Sequence, residues 1–114
     1  MEILVRDSKL GAALEDEALC KRRFGVDMAK KIKLRVTALV AADSLRDFWP
    51  PSSGPERCHE LKGDLAGTFS IDVKQPYRLL FKPIEDPSTQ HPDQQERWQA
   101  IKSIEIVGIE DTHG

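Results

Sequence analysis

The spacing of apolar residues changes several times along this chain, and each change marks an element. Residues 2–6, EILVR, form a short apolar run that reads as a first strand. Leu10, Leu14 and Ala18 then keep an i, i+4 stripe, Asp7 or Ser8 offers a cap, and Gly25 supplies a stop. Together they predict a helix ending near Phe24. Asp27 opens a second helix over 28–42, with Ala29, Ile32, Val36, Leu39 and Val40 on its apolar face and Lys30, Lys31, Lys33 and Arg35 covering the rest. So short a connection predicts an antiparallel helical hairpin. Pro50, Pro51, Gly54 and Pro55 then forbid regular structure, so 43–56 reads as a linker anchored to the core by Phe48 and Trp49.

From residue 57 the period falls to two. A short strand runs from Arg57 to Leu61. Phe69, Ile71 and Val73 alternate with Thr68, Ser70 and Asp72, and Tyr77, Leu79 and Phe81 alternate with Arg78, Leu80 and Lys82. Lys74-Gln75-Pro76 is turn chemistry between them. Residues 83–97 are polar and rich in proline, which predicts a long exposed loop. Trp98 and 101–109 make the last strand, and Ile104, Ile106, Val107 and Ile109 make it apolar on both faces, as an interior strand is. The expected fold is α+β, ordered β-α-α-β-β-β-β: a small, mostly antiparallel sheet with a two-helix hairpin on one face. No repeat or composition break divides residues 1–114, so one domain is expected.

Charge adds a second layer to this picture. The formal net charge is only -2, so no global positive field points to nucleic acid. The charges are segregated, however. Residues 21–35 hold seven Lys/Arg against one Asp, 57–82 hold five basic against three acidic residues, and 83–114 hold two against seven. A basic face on an acidic protein is therefore expected, although a helix with one solvated basic side accounts equally well for 21–35 alone. Cys20 and Cys58 form no CxxC pair and read as reduced thiols of a cytoplasmic protein. No run approaches the ~20 apolar residues of a membrane span, and MEILVRDSKL lacks the long apolar run of a signal peptide, so none is expected.

Candidate chemistry sits in the strand half. Cleaving RNA through its own 2′-hydroxyl needs a base, an acid for the leaving 5′-oxygen, and a cation for the phosphorane. Arg78 suits the last task, because its fork matches two phosphate oxygens. It is equally readable as a solvated strand arginine paired to Asp72 or Asp64. His59 and His113 can exchange protons near neutrality, or serve as a structural histidine and an inert terminus. Lys62 can contact phosphate or solvate a turn. Asp111, two residues before His113, shares its side if the strand continues. Arg57, Lys82 and Tyr77 are candidate RNA contacts. His91 reads as plain surface. No regular metal-ligand spacing, glycine-rich phosphate loop, Walker motif or GxSxG occurs, so no metal or cofactor is expected.

The segments HELKGDLAGTFSIDV (59–73), PYRLLF (76–81) and EIVGIEDTHG (105–114) resemble the HigB-type toxins of bacterial type II toxin–antitoxin systems. These are plasmid maintenance killer proteins of the RelE/ParE superfamily. The resemblance implies a RelE-like fold and metal-independent, ribosome-dependent cleavage of mRNA that arrests translation. It implies two partners, mRNA on the ribosome and a cognate HigA-like helix-turn-helix antitoxin. Carried onto this chain, it makes His59 a proton-transfer or phosphate-contacting group and Lys62 a phosphate contact. Arg78 becomes the transition-state cation, and Asp111 with His113 completes the site. The family pattern ends in Asp-aromatic-His, whereas this chain has Thr112 between Asp111 and His113, and threonine cannot stack on a base. Two further readings follow: a ParE-like inhibitor of a protein target, and a weakened toxin that keeps antitoxin binding.

Overall fold

The computed structural model describes residues 1–85 and 93–111. In chain order the elements are β1 (Glu2–Val5), α1 (Ser8–Glu15), α2 (Glu17–Phe24), α3 (Val26–Ala41), β2 (His59–Glu60), β3 (Phe69–Lys74), β4 (Tyr77–Pro83), α4 (Gln94–Ala100) and β5 (Ser103–Asp111), with 3-10 turns at Leu45–Phe48 and Gly63–Leu65. The strands form one sheet in the order β1-β5-β4-β3-β2. β2–β3, β3–β4 and β4–β5 pair antiparallel and β1 pairs parallel to β5. This is the expected α+β fold with a mostly antiparallel sheet.

The helical layer differs from the expected hairpin in its first arm. Asp16 leaves helical geometry (φ -122°, ψ 112°), and its carboxylate accepts the Ala18 and Leu19 N–H groups, so one helix ends there and a second begins. Such a cap contributes about 1 kcal/mol. The break turns the stripe: Ala18 is exposed, and Ala13 and Cys20 are buried instead. Gly25, at φ 87°, separates α2 from α3 in the left-handed region that glycine tolerates. It is also the N-cap residue of α3, in place of the expected Asp27, which falls inside the first turn. Met28, Ala29, Ile32 and Leu39 of α3 are buried, whereas Val40 is exposed.

Ile32 and Leu39 join Phe69, Ile71, Leu79, Phe81, Ile104 and Ile106 in one core between α3 and the sheet. β5 is interior, as its apolar run indicated. It feeds one core by changing parity: the β4–β5 register slips between Leu80 and Phe81, so Ile104 and Ile106 face the core before the slip and Ile109 packs against it afterwards. The second departure is α4. Its first residues, Gln94–Arg97, replace the end of the expected loop, and Trp98 lies on this helix, not on the final strand. The Asp93 carboxylate caps α4 by accepting the Gln95 and Glu96 N–H groups. Trp98 is 2% exposed and packs edge-on against Trp49 and Phe69, with ring centroids 5.0 and 5.6 Å away. Residues 86–92, which include His91 and much of that loop, lie outside the described residues.

Candidate functional site

Directly opposed residues of an antiparallel ladder share a face. Two rows therefore cross the sheet on the side away from α3. One is His59–Ser70–Leu80–Gly108; the other is Asp72–Arg78–Glu110. Alternation along β4 puts Lys82 on this side too, opposite Glu105, whose carboxylate accepts from Arg6 Nη2 at 2.7 Å.

Asp72 is the centre of the second row. Its Oδ1 lies 3.4 Å from Arg78 Nε, and its Oδ2 lies 3.4 Å from Arg57 Nε. The Arg78 and Asp72 side chains are each 15% exposed, whereas Arg57 is 57% exposed. Asp72 Oδ1 is buried and receives no aligned hydrogen bond, so the Arg78 contact is an ion pair without hydrogen-bond geometry. Ser70 Oγ, in the adjacent row, is also buried without a hydrogen-bond partner among the described residues.

His59 joins this cluster through the backbone. Its Nδ1 lies 2.9 Å from the Arg57 carbonyl oxygen. A carbonyl only accepts, so Nδ1 carries the proton and the neutral ring keeps its lone pair on Nε2. Arg57 itself adopts φ 48°, a left-handed backbone that non-glycine residues seldom take. Its N–H donates to Ser53 O at 3.2 Å, and the Asp72 N–H donates to Glu56 O at 2.7 Å, which ties the 53–58 segment to β3.

The structure thus pairs Arg78 with Asp72, which the sequence offered as the alternative for Arg78, adds Arg57 to the same carboxylate, and holds the His59 ring on the Arg57 carbonyl. Lys62 is exposed, just beyond β2 at the start of the Gly63–Leu65 turn. Asp111 opposes Tyr77 at the end of the β4–β5 ladder, one position from the Arg78–Glu110 pair. Alternation therefore directs Asp111 and Arg78 to opposite faces at this point, and Glu110 is the acidic neighbour of Arg78 across the ladder. Tyr77 is 45% exposed. His113 and Thr112 lie outside the described residues. Ser70 and Glu110 were not singled out from the sequence. Their signal was strand parity with His59 and Arg78, which becomes informative only once the pairing register is known.

Cys58 is fully buried, and burial, followed by the nearby Glu56 charge, pushes its thiol up to about 12. It remains a protonated core residue, unsuited to nucleophilic work. Two surface concavities lie elsewhere, on the helical layer. One, about 940 Å³, runs between α1/α2 and α3 over Leu14, Ile32 and Val36 with Lys30 and Lys33 among its lining; the other, about 450 Å³, is bordered by Lys9, Arg22 and Arg23. None of the candidate catalytic residues lines either. No helix among the described residues is long and apolar enough to cross a membrane.

No protein-family model matches the chain. It is similar to the toxin YoeB of Streptomyces coelicolor, with 37% identity over 57 residues, half of this chain and 63% of that protein's length. In fold it is similar to a YoeB/ParE toxin from Agrobacterium tumefaciens (TM-score 0.57, 15% identity, 97% of this chain and 98% of the other). It is also similar to the YoeB–YefM complex from Staphylococcus aureus (TM-score 0.54, 15% identity, 96% and 94% covered). A YoeB dimer from the same organism gives a TM-score of 0.51 at 16% identity, with 95% and 92% covered. At these identities the structural likenesses show the fold. The sequence match is to a YoeB toxin and spans less than two thirds of that protein; the HigB type expected from the sequence is not among these likenesses.

Proposed function

We propose that this chain is the toxin of a type II toxin–antitoxin pair and an endoribonuclease that cleaves mRNA on the ribosome without a metal. The observation that carries the reading is the pairing of Arg57 and Arg78 with one carboxylate, Asp72, with the His59 ring held on the Arg57 carbonyl. The likeness to a YoeB toxin supports it.

In this mechanism His59 Nε2 takes the proton of the substrate's 2′-hydroxyl as the 2′-oxygen attacks phosphorus. The P–O5′ bond breaks, and the departing O5′ takes a proton from a second group, for which Lys62 and His113 are the candidates. The products are a 2′,3′-cyclic phosphate and a free 5′-hydroxyl. Arg78 and Arg57 oppose the charge that builds on the non-bridging oxygens, a role that gains strength as water is excluded. Lys82, on the same face as Arg78, extends the RNA contact, and Tyr77 and Asp111, directed to the other face at the end of the ladder, meet the RNA only around that edge. That a YoeB was solved with YefM supports a protein partner here as well. We take that partner to be a HigA-like helix-turn-helix antitoxin, and the setting to be the bacterial cytoplasm and plasmid maintenance.

A ParE-like action on a protein target is the second reading, favoured by the YoeB/ParE name of one fold neighbour. A weakened toxin is a variant of the first, favoured by Thr112. Induced expression with transcript end-mapping separates them. The nuclease reading expects arrested translation, cyclic-phosphate ends, and a loss of roughly 100-fold or more in cleavage for Arg78→Ala with folding intact. DNA damage with intact transcripts would establish the ParE-like reading instead. Undiminished cleavage by Arg78→Ala would remove that residue from the mechanism.

A further inference from the structure

We propose that Asp72 is a positioning residue that couples Arg57 and Arg78 into a two-armed clamp for a single phosphodiester. Asp72 is a fixed post. Its N–H donates to Glu56 O at 2.7 Å, and its carbonyl accepts Arg35 Nε from α3, also at 2.7 Å. Arg78 is its cross-strand partner and arrives with the sheet. Arg57 arrives on an irregular segment with an exposed side chain, and two guanidinium groups repel one another. The shared carboxylate offsets that repulsion and leaves the trio one net positive charge, suited to a phosphodiester monoanion.

The geometry of the contacts favours a ligand over a structural bond. Both arginines meet Asp72 through Nε at 3.4 Å, longer than the ~2.7–2.9 Å of a charge-assisted hydrogen bond. Asp72 Oδ1 is buried without an aligned donor, so the carboxylate holds Arg78 by charge alone and leaves the guanidinium able to re-aim. The His59–Arg57 backbone bond then sets the imidazole beside the same clamp.

The phosphodiester as substrate rests on the nuclease reading above; the coupling of the two arginines does not. Two measurements keep them apart. In mRNA cleavage on the ribosome, Asp72→Asn should lower kcat by roughly 10- to 100-fold, because a misdirected cation loses transition-state contact, while KM stays level or falls as a negative charge is removed. Arg57→Ala should then cost little further in the Asp72→Asn background, because that arm is already uncoupled. A rise in kcat would make Asp72 a brake and overturn the proposal, as would independent, multiplying losses. If the wild-type chain cleaves no mRNA, the nuclease reading fails alone. The clamp is then judged by the side-chain Nε–H NMR signals of Arg57 and Arg78 titrated with a fully 2′-O-methylated RNA oligonucleotide. Joint shifts in the wild type that separate in Asp72→Asn support coupling; unlinked shifts, or none, refute it.

Discussion

Arg97 Nη1 lies 2.6 Å from Glu60 Oε1, so α4 is tied to β2 by an ion pair whose cation is only 4% exposed. The other carboxylate oxygen, Glu60 Oε2, accepts the Gly67 N–H at 2.9 Å, and the Arg97 guanidinium sits over the Phe69 ring, 5.3 Å from its centroid. Glu60 opposes Phe69 and faces the core; His59, its neighbour in the same two-residue strand, opposes Ser70 and faces the candidate site. A buried pair on one side of β2 thus fixes the histidine on the other.

Glu60→Ala should therefore destabilise the fold by about 2–4 kcal/mol. It leaves the Arg97 charge buried without its carboxylate, and solvent at the 30% exposed Glu60 side chain keeps the loss below that of a wholly enclosed pair. Urea unfolding of Glu60→Ala, Arg97→Met and the double variant measures the coupling. The double variant should lose less than the sum of the two single losses. Strict additivity would show that the pair is not a unit.

Trp98 shows how part of the core escaped the sequence. The segment Gln94–Ala100 has one large apolar side chain and no periodic stripe, so composition spoke for a loop up to Arg97 and joined Trp98 to the final strand. The cue that remained was local: Asp93 followed three residues later by Glu96, the spacing of a capping box. Trp98→Ala should cost about 3–5 kcal/mol, because it empties the space between Trp49 and Phe69. Leu34→Ala, at an exposed position on α3, should stay within about 0.5 kcal/mol. Thermal melts of the two variants test the contrast.

Strands β3 and β4 were legible because a residue-by-residue alternation survives in the sequence wherever one face is buried, and β5 because its run is apolar on both faces. The break at Asp16 was not, because an i, i+4 pattern hardly registers a single non-helical residue. The site was legible in its cations and not in its organiser. Asp72 could be named as one possible partner for Arg78, but its second partner, Arg57, depends on how the 53–58 segment folds back onto β3. Asp16→Ala should cost about 1 kcal/mol by leaving the Ala18 and Leu19 N–H groups without their acceptor. Circular dichroism and the urea midpoint would register it, and an unchanged midpoint would mean that water replaces the cap at no cost.

Cys58 gives a pH prediction with a definite sign. Burial and Glu56 raise its folded value to about 12, above the ordinary thiol range. The unfolded chain therefore gives up this proton first on alkaline titration. The stabilisation is fully present below the unfolded thiol value and is lost as pH rises through about 12. The urea midpoint should fall between neutral and strongly alkaline pH, and by less in Cys58→Ala. An aromatic disulfide reagent should label Cys58 only on unfolding; rapid native labelling would contradict its burial.

The last prediction rests on the chain's own ending. The resemblance expects an aromatic between Asp111 and His113, where this sequence has Thr112. A base stacked on an aromatic ring contributes ~1–3 kcal/mol, equivalent to roughly 5- to 150-fold in affinity. Tyr77, exposed and opposite Asp111 in the ladder, is the candidate RNA-contacting aromatic among the described residues. If stacking limits this protein, Thr112→Tyr should increase mRNA cleavage by about 10-fold or more, and Tyr77→Ala should reduce cleavage by the wild type more than by Thr112→Tyr. Equal cleavage by wild type and Thr112→Tyr, with both impaired alike by Tyr77→Ala, would show that Tyr77 acts independently and that Thr112 is no deficit.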